Sequence, residues 1–124
     1  MKRNILVVDD SRAVHALIRE FLKDTGFTQI DVFDGKQAID LLATPQGEDV
    51  GLVLLDWEMP VMNGPETLKI IRTQGKTLPV VVMTTKNKEE DIAFMLGEGA
   101  DEYMMKPFTQ DIFVSKLEEF LGVA

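Results

Sequence analysis

Leu52-Val53-Leu54-Leu55-Asp56 is an unbroken apolar run that stops on a carboxylate. A strand that is apolar at consecutive positions is buried on both faces, as the inner strands of a parallel sheet are once helices cover them. Three other segments end in a similar way. Ile5-Leu6-Val7-Val8 stops at Asp9-Asp10, Val80-Val81-Val82-Met83 at Thr84-Thr85, and the short Tyr103-Met104-Met105 at Lys106-Pro107. In an open parallel sheet, ligands bind in the crevice beyond the carboxyl ends of the strands. These tips would bring three acids, a hydroxyl and an amine from distant parts of the chain into one cleft.

Between the runs the hydrophobic period becomes helical. Val14, Leu17, Ile18, Phe21 and Leu22 fall on one face of a first helix, opposite Arg12, Arg19 and Lys23, with Ser11 as its cap and Gly26 as its end. A weaker strand over 29–33 and a short helix carrying Ala38, Leu41 and Leu42 follow. Asn63-Gly64-Pro65-Glu66 reads as a helix start, with Asn63 as N-cap, Pro65 in the first turn and Glu66 closing a capping box. Leu68, Ile70 and Ile71 form that helix's apolar side. Asn87, with Glu90 three residues on, is the cap candidate for the next helix, and Thr109 starts the last, which buries Phe113, Leu117, Phe120 and Leu121. The polar stretch 44–49 reads as the least ordered loop. Five β-α units with right-handed crossovers give an α/β fold, a doubly wound, five-stranded parallel sheet, (βα)5; the strand order expected for it is the flavodoxin-like 2-1-3-4-5.

The bulk numbers bound the class. The 124 residues fit one domain, 1–124, and 45% hydrophobic content supports an ordinary core. With no cysteine, disulfide and thiolate chemistry are excluded. Asp9 and Asp10 interrupt the first apolar run, so no secretory leader is read, and no segment approaches the length of a membrane span. The expected location is the cytoplasm. A formal charge of −8 argues against direct nucleic-acid binding, which needs a basic footprint.

Two carboxylates about 4 Å apart repel by roughly 4 kcal/mol at an effective dielectric near 20, so three of them need a counter-charge. Lys106 supplies one. Mg²⁺ would supply more, since it favours a few carboxylates together with waters and a substrate phosphate. Asp10 is the better direct ligand, Asp9 acts through water, and Asp56 and the backbone carbonyl of Glu58 complete the protein's share. Asp56, on the central strand, is then placed as a nucleophile for a phosphoryl group. Such transfer needs mainly positioning and charge neutralisation, and the metal, Lys106 and the Thr84 hydroxyl can each take one equatorial oxygen.

Asp9-Asp10, Asp56-Trp57-Glu58-Met59-Pro60 with Asn63-Gly64, Thr84, and Tyr103-Met104-Met105-Lys106-Pro107-Phe108 together resemble a response-regulator receiver domain of the CheY type, over essentially the whole chain. The resemblance implies Mg²⁺-dependent phosphorylation of Asp56 by a partner histidine kinase or phosphotransfer protein, in a chemotaxis-like signalling role. It implies a cis Lys106-Pro107 peptide. It also implies a switch in which phosphorylated Asp56 draws Thr84 inward and Tyr103 rotates into the space vacated. The chain then catalyses only its own phosphorylation and dephosphorylation and is not otherwise an enzyme. A stand-alone regulator and a receiver cut from a longer one both fit. A small Mg²⁺-dependent phosphohydrolase using an aspartyl phosphate is the enzymatic alternative. An FMN binder is disfavoured, because Asp9-Asp10 would repel the phosphate.

Trp57, Glu58, Thr85 and Lys86 flank the expected site. Glu58 and Lys86 are expected to pair across its entrance and slow attack by water, Thr85 to narrow access, and Trp57 to report ligand binding by fluorescence. Ile92, Phe94, Met95 and Leu96 spread around the whole helix after Thr85. Ile92 and Met95, with Tyr103 and Met105, are the candidate output face, on the fourth helix, fifth strand and fifth helix, for a downstream protein. The lone His15 reads as surface or boundary packing.

Overall fold

A computed structural model describes residues 2–122; Met1, Val123 and Ala124, the ends of the expected 1–124 domain, lie outside the described residues. Five strands form one parallel sheet: β1 (Asn4–Val8), β2 (Thr28–Val32), β3 (Val50–Asp56), β4 (Val80–Thr84) and β5 (Glu102–Met105). Their spatial order is β2-β1-β3-β4-β5, the expected flavodoxin-like order. The helices are α1 (Arg12–Leu22), α2 (Gly35–Leu42), α3 (Pro45–Glu48), α4 (Gly64–Thr73), α5 (Glu89–Gly97) and α6 (Gln110–Leu121).

Alternation along the strands divides the core between the two faces of the sheet. Ile5, Val7, Leu52 and Leu54 point to one face and pack with Ile18 and Leu22 of α1 and Phe113, Leu117 and Leu121 of α6. Leu6, Val8, Val53 and Leu55 point to the other and pack with Ala38 and Leu42 of α2, Leu68 and Ile71 of α4 and Met95 of α5. Covering helices on both sides explain the unbroken apolar run of β3, whose residues 52–56 are all buried.

Local signals act mostly as read. Ser11, Thr109 and Asn63 cap α1, α6 and α4 with their side chains, and Glu66 closes the capping box back onto Asn63. Several details differ. The stretch 44–49 is not a disordered loop: Thr44 caps a single helical turn, and Pro45 occupies its first position. Asn87 does not cap α5; Lys88 holds that position with no side-chain bond. In α1 the buried face is His15, Ile18 and Leu22, whereas Leu17 is 39% exposed, so the helix is rotated from the expected orientation. That helix ends at Lys23, before Gly26.

Candidate functional site

At the carboxyl ends of β1 and β3, the parallel register sets Val8 beside Leu55 and delivers Asp9 and Asp56 side by side. Asp9, Asp10, Ser11, Asp56, Glu58, Thr85 and Lys106 line an open cleft of about 250 Å³. A larger hollow of about 850 Å³ lies at the opposite ends of the strands, where loop backbone mixes with Lys2, Lys76, Glu48 and Asp49. It gathers no comparable group of converging side chains.

Lys106 lies just past β5 and next to Pro107, across a cis peptide. Its ammonium donates to Asp9 Oδ2 at 2.9 Å and to Asp56 Oδ1 at 3.2 Å. Every polar atom of Asp9 is held. Its N–H donates to the Val32 carbonyl, its Oδ1 accepts from the Ser11 N–H at 2.8 Å, its Oδ2 takes Lys106, and its carbonyl meets His15 Nε2 at 2.7 Å. Asp56 Oδ1 also accepts from the Glu58 N–H at 3.3 Å, whereas its Oδ2 accepts from no described residue. Gly64 fixes the loop beyond Asp56. A Cβ there would lie 2.6 Å from the Trp57 Cα, so α4 can begin this close to the strand end only on glycine.

Burial and the neighbouring Asp9 charge push the Asp56 carboxyl up to about 6, against the opposing pull of Lys106. Burial works against the Lys106 ammonium, but Asp9 and Asp56 outweigh it and raise its pKa above the ordinary value.

Asp9, Asp10 and Asp56 each offer an oxygen within 4.8 Å of the others, a hard-oxygen donor set suited to Mg²⁺. An ion with bonds of about 2.1 Å can be shared directly by oxygens up to about 4.2 Å apart, and an acid can also act on it through a bound water. Asp9 is the acid already committed to Ser11 and Lys106, and Asp10 is exposed and free to turn.

The other expected residues divide. Thr84 is buried at the end of β4, but its hydroxyl accepts the Lys86 N–H at 3.0 Å and does not line the cleft; Thr85 does. Glu58 and Lys86 are both exposed, and no ion pair joins them. Trp57 is buried, with its ring edge-on to Phe94 at 6.2 Å. Tyr103 is half-buried against the same core face as Trp57 and Met95. Met95 is a correction: it is fully buried beneath α5, because it is the one residue of that helix aimed at the sheet. Ile92 and Met105 are half-buried, and the apolar groups that α5 exposes are Phe94, at 52%, and Leu96, at 43%.

His15 was missed. It is 5% exposed, stacks obliquely on Phe33, and bonds through Nδ1 to Asp31 Oδ1 at 2.6 Å. The available signal was its spacing, three residues before Ile18 and seven before Leu22.

Residues 5–118 match the response regulator receiver domain family. The chain belongs to that family. Transcriptional regulatory protein CpxR of Escherichia coli (strain K12) is 40% identical over 117 residues, 94% of this chain and 48% of CpxR. The receiver chain thus spans about half the length of that relative. A chemotaxis protein CheY homolog of Campylobacter jejuni (strain 81-176) is 36% identical over 121 residues, 95% of this chain and 92% of the homolog. Among solved structures, Vibrio cholerae chemotaxis protein CheY4 superposes with a TM-score of 0.86 at 28% identity, covering 98% of this chain and 100% of CheY4. This receiver is therefore a two-component signalling domain of the CheY-like fold. No described helix is long and apolar enough to cross a membrane.

Proposed function

We propose that this receiver accepts a phosphoryl group on Asp56 with Mg²⁺ bound beside it, and that the modification changes its affinity for another protein. The observation that carries the reading is the Lys106 bridge. One ammonium, fifty residues past Asp56, ties that buried carboxylate to Asp9 at the end of another strand. Asp10, Asp56 and the Glu58 carbonyl would hold the cation, with Asp9 contributing through water. When bound, the cation supplies positive charge to the phosphoryl oxygens and offsets the crowded carboxylates.

The chain's own groups supply the rest. Asp56 Oδ1 is engaged by Lys106 and the Glu58 N–H, so Oδ2 is the oxygen left to attack phosphorus. The new P–O bond forms as the P–N bond of a phosphohistidine donor, or the P–O bond of acetyl phosphate, breaks, and the leaving group keeps the electron pair. Lys106 then takes one phosphoryl oxygen. The hydrogen of the Thr84 hydroxyl has no acceptor among the described residues and can be given to another. That turn would draw Thr84 from the Lys86 N–H toward Asp56 and open space for half-buried Tyr103. Phosphorylation adds roughly −1.5 to −2 charge and strong acceptors, enough to bias such a pair of states.

The donor would be a histidine kinase or phosphotransfer protein. The output face would comprise Phe94, Leu96 and Ile92 of α5 with Tyr103 and Met105, and Met95 lies underneath it. Glu58, Thr85 and Lys86 flank the cleft entrance as separate charges and bulk, not as a paired gate. The formal charge of −8 argues against direct nucleic-acid contact by this domain.

Intact-mass measurement after incubation with Mg²⁺ and acetyl phosphate tests it. A gain of about 80 Da is expected, absent in folded Asp56→Asn and absent when Mg²⁺ is chelated. No gain in the unaltered protein, or an equal gain in the variant, would refute it.

A further inference from the structure

His15 is a buried polar side chain that phosphoryl transfer does not itself require, and both its ring nitrogens are engaged. A carbonyl oxygen only accepts, so Nε2 carries a hydrogen and donates it to the Asp9 carbonyl, 2.7 Å away. Nδ1 is anchored by the Asp31 carboxylate at 2.6 Å. Asp31 in turn accepts from Gln29 Nε2 at 2.7 Å and from Arg19, which is 60% exposed. Phe33 walls the ring on its face, and the Arg12 guanidinium covers Phe33 at 4.7 Å. The imidazole is thus fixed by β2 on one side and reaches the tip of β1 on the other.

Its point of contact matters. The peptide group is planar, so holding the Asp9 carbonyl oxygen also sets the Asp10 nitrogen and Cα. Those atoms decide the direction in which the Asp10 side chain leaves the strand. Asp10 is exposed, and none of the described hydrogen bonds or ion pairs involves its carboxylate, so its aim depends on its backbone. We propose that His15 is a positioning residue that holds the Asp9–Asp10 peptide so that Asp10 faces the cation, as outer-shell partners of metal ligands do. The inference rests on the Mg²⁺ site proposed above and adds to it a residue from the buried face of α1.

Two near-isosteric replacements separate positioning from packing. The Gln amide nitrogen lies near the position of Nε2, and the Asn amide nitrogen near that of Nδ1. His15→Gln therefore keeps the bond to the Asp9 carbonyl, and His15→Asn keeps only the bond to Asp31. Mg²⁺ alone is titrated against Trp57 fluorescence, and amide exchange of Ser11 is followed without metal, because that N–H donates to Asp9 Oδ1. The Asn variant is expected to bind Mg²⁺ about tenfold more weakly, the low end for an outer-shell partner. Its Ser11 amide should exchange faster, and the Gln variant should lie within about twofold of the original in both measurements. Equal Mg²⁺ affinity in the Asn variant and the original, or equal losses in both variants, overturns the inference alone. An unaltered chain that does not bind Mg²⁺ by calorimetry overturns the site reading and the inference with it. If His15→Asn fails to fold, His15→Ala takes its place. It also removes the bond to the Asp9 carbonyl and should weaken Mg²⁺ binding by about tenfold, and unchanged affinity there overturns the inference.

Discussion

At Asp56, a single residue, the demands of chemistry and stability oppose each other. Its side chain is 7% exposed, and it shares Lys106 with the fully buried Asp9. The carboxyl is pushed up to about 6 from an ordinary 3.8. A rise of about two units corresponds to about 3 kcal/mol spent keeping the group ionised at neutral pH. Asparagine keeps its shape and removes the charge, and Lys106 retains Asp9. Metal-free Asp56→Asn is therefore expected to be about 1–3 kcal/mol more stable than the unaltered chain in urea unfolding near pH 7.5. A less stable variant would contradict this account. The Asp9-Asp10 pair, Asp56 and Lys106 were legible because each directly follows an apolar run, and strand ends in a parallel sheet converge. His15 was not, because its partners, a carbonyl just past β1 and a carboxylate on β2, become neighbours only in the folded chain. Met95 was misplaced for a related reason: a helix apolar all round does not show from sequence which residue faces inward.

Among the elements, α5 is the least well specified at its start. α1, α4 and α6 each begin on a side-chain cap, but α5 begins on Lys88 with none. Its first turn carries Glu89, Glu90 and Asp91, which suit the positive end of a helix. The lysine ahead of them offers no acceptor for the free N–H groups. Lys88→Ser should supply one and raise stability by about 0.5–1 kcal/mol. Thermal unfolding checks the value, and a lowered midpoint would mean that Lys88 has a packing or charge role that outweighs the cap. Asn87 was the natural choice from sequence, since Glu90 stands where a capping box places its acid. The structure starts one residue later, so the register of the box is lost. The reverse holds at 44–49, where the same polar composition that suggests a loop supplies a cap and a first-turn proline for α3. Element type and order were readable because hydrophobic period is a property of many residues, whereas a boundary rests on one or two.

In the whole molecule, the charges of the cleft link folding to pH. In the unfolded chain the Asp56 carboxyl titrates near 3.8, and in the folded, metal-free chain near 6. Between those values the folded state holds a proton that the unfolded state has lost, so stability falls as pH rises through the interval. The stabilising protonated form is fully present below the lower value and gone above the upper one. Asp31 acts in the opposite sense and in another window. Burial alone would raise its pKa, but Gln29, His15 and Arg19 together lower it, so its contribution is lost only as pH drops below the ordinary carboxylate range. Lys106, with its raised pKa, loses its contribution only above the ordinary lysine range. Without metal, the urea midpoint should therefore decline from about pH 4.5 to about pH 6.5. Asp56→Asn should lack this decline, which isolates the group responsible. Mg²⁺ favours the ionised carboxylate, so saturating Mg²⁺ should flatten the curve, and its stabilising effect should grow with pH across the same interval. A midpoint that rises between those pH values without metal, or a decline that survives in Asp56→Asn, would place the titrating group elsewhere. The shared burial of Asp9 and Asp56 would then not be the cost that the cation relieves.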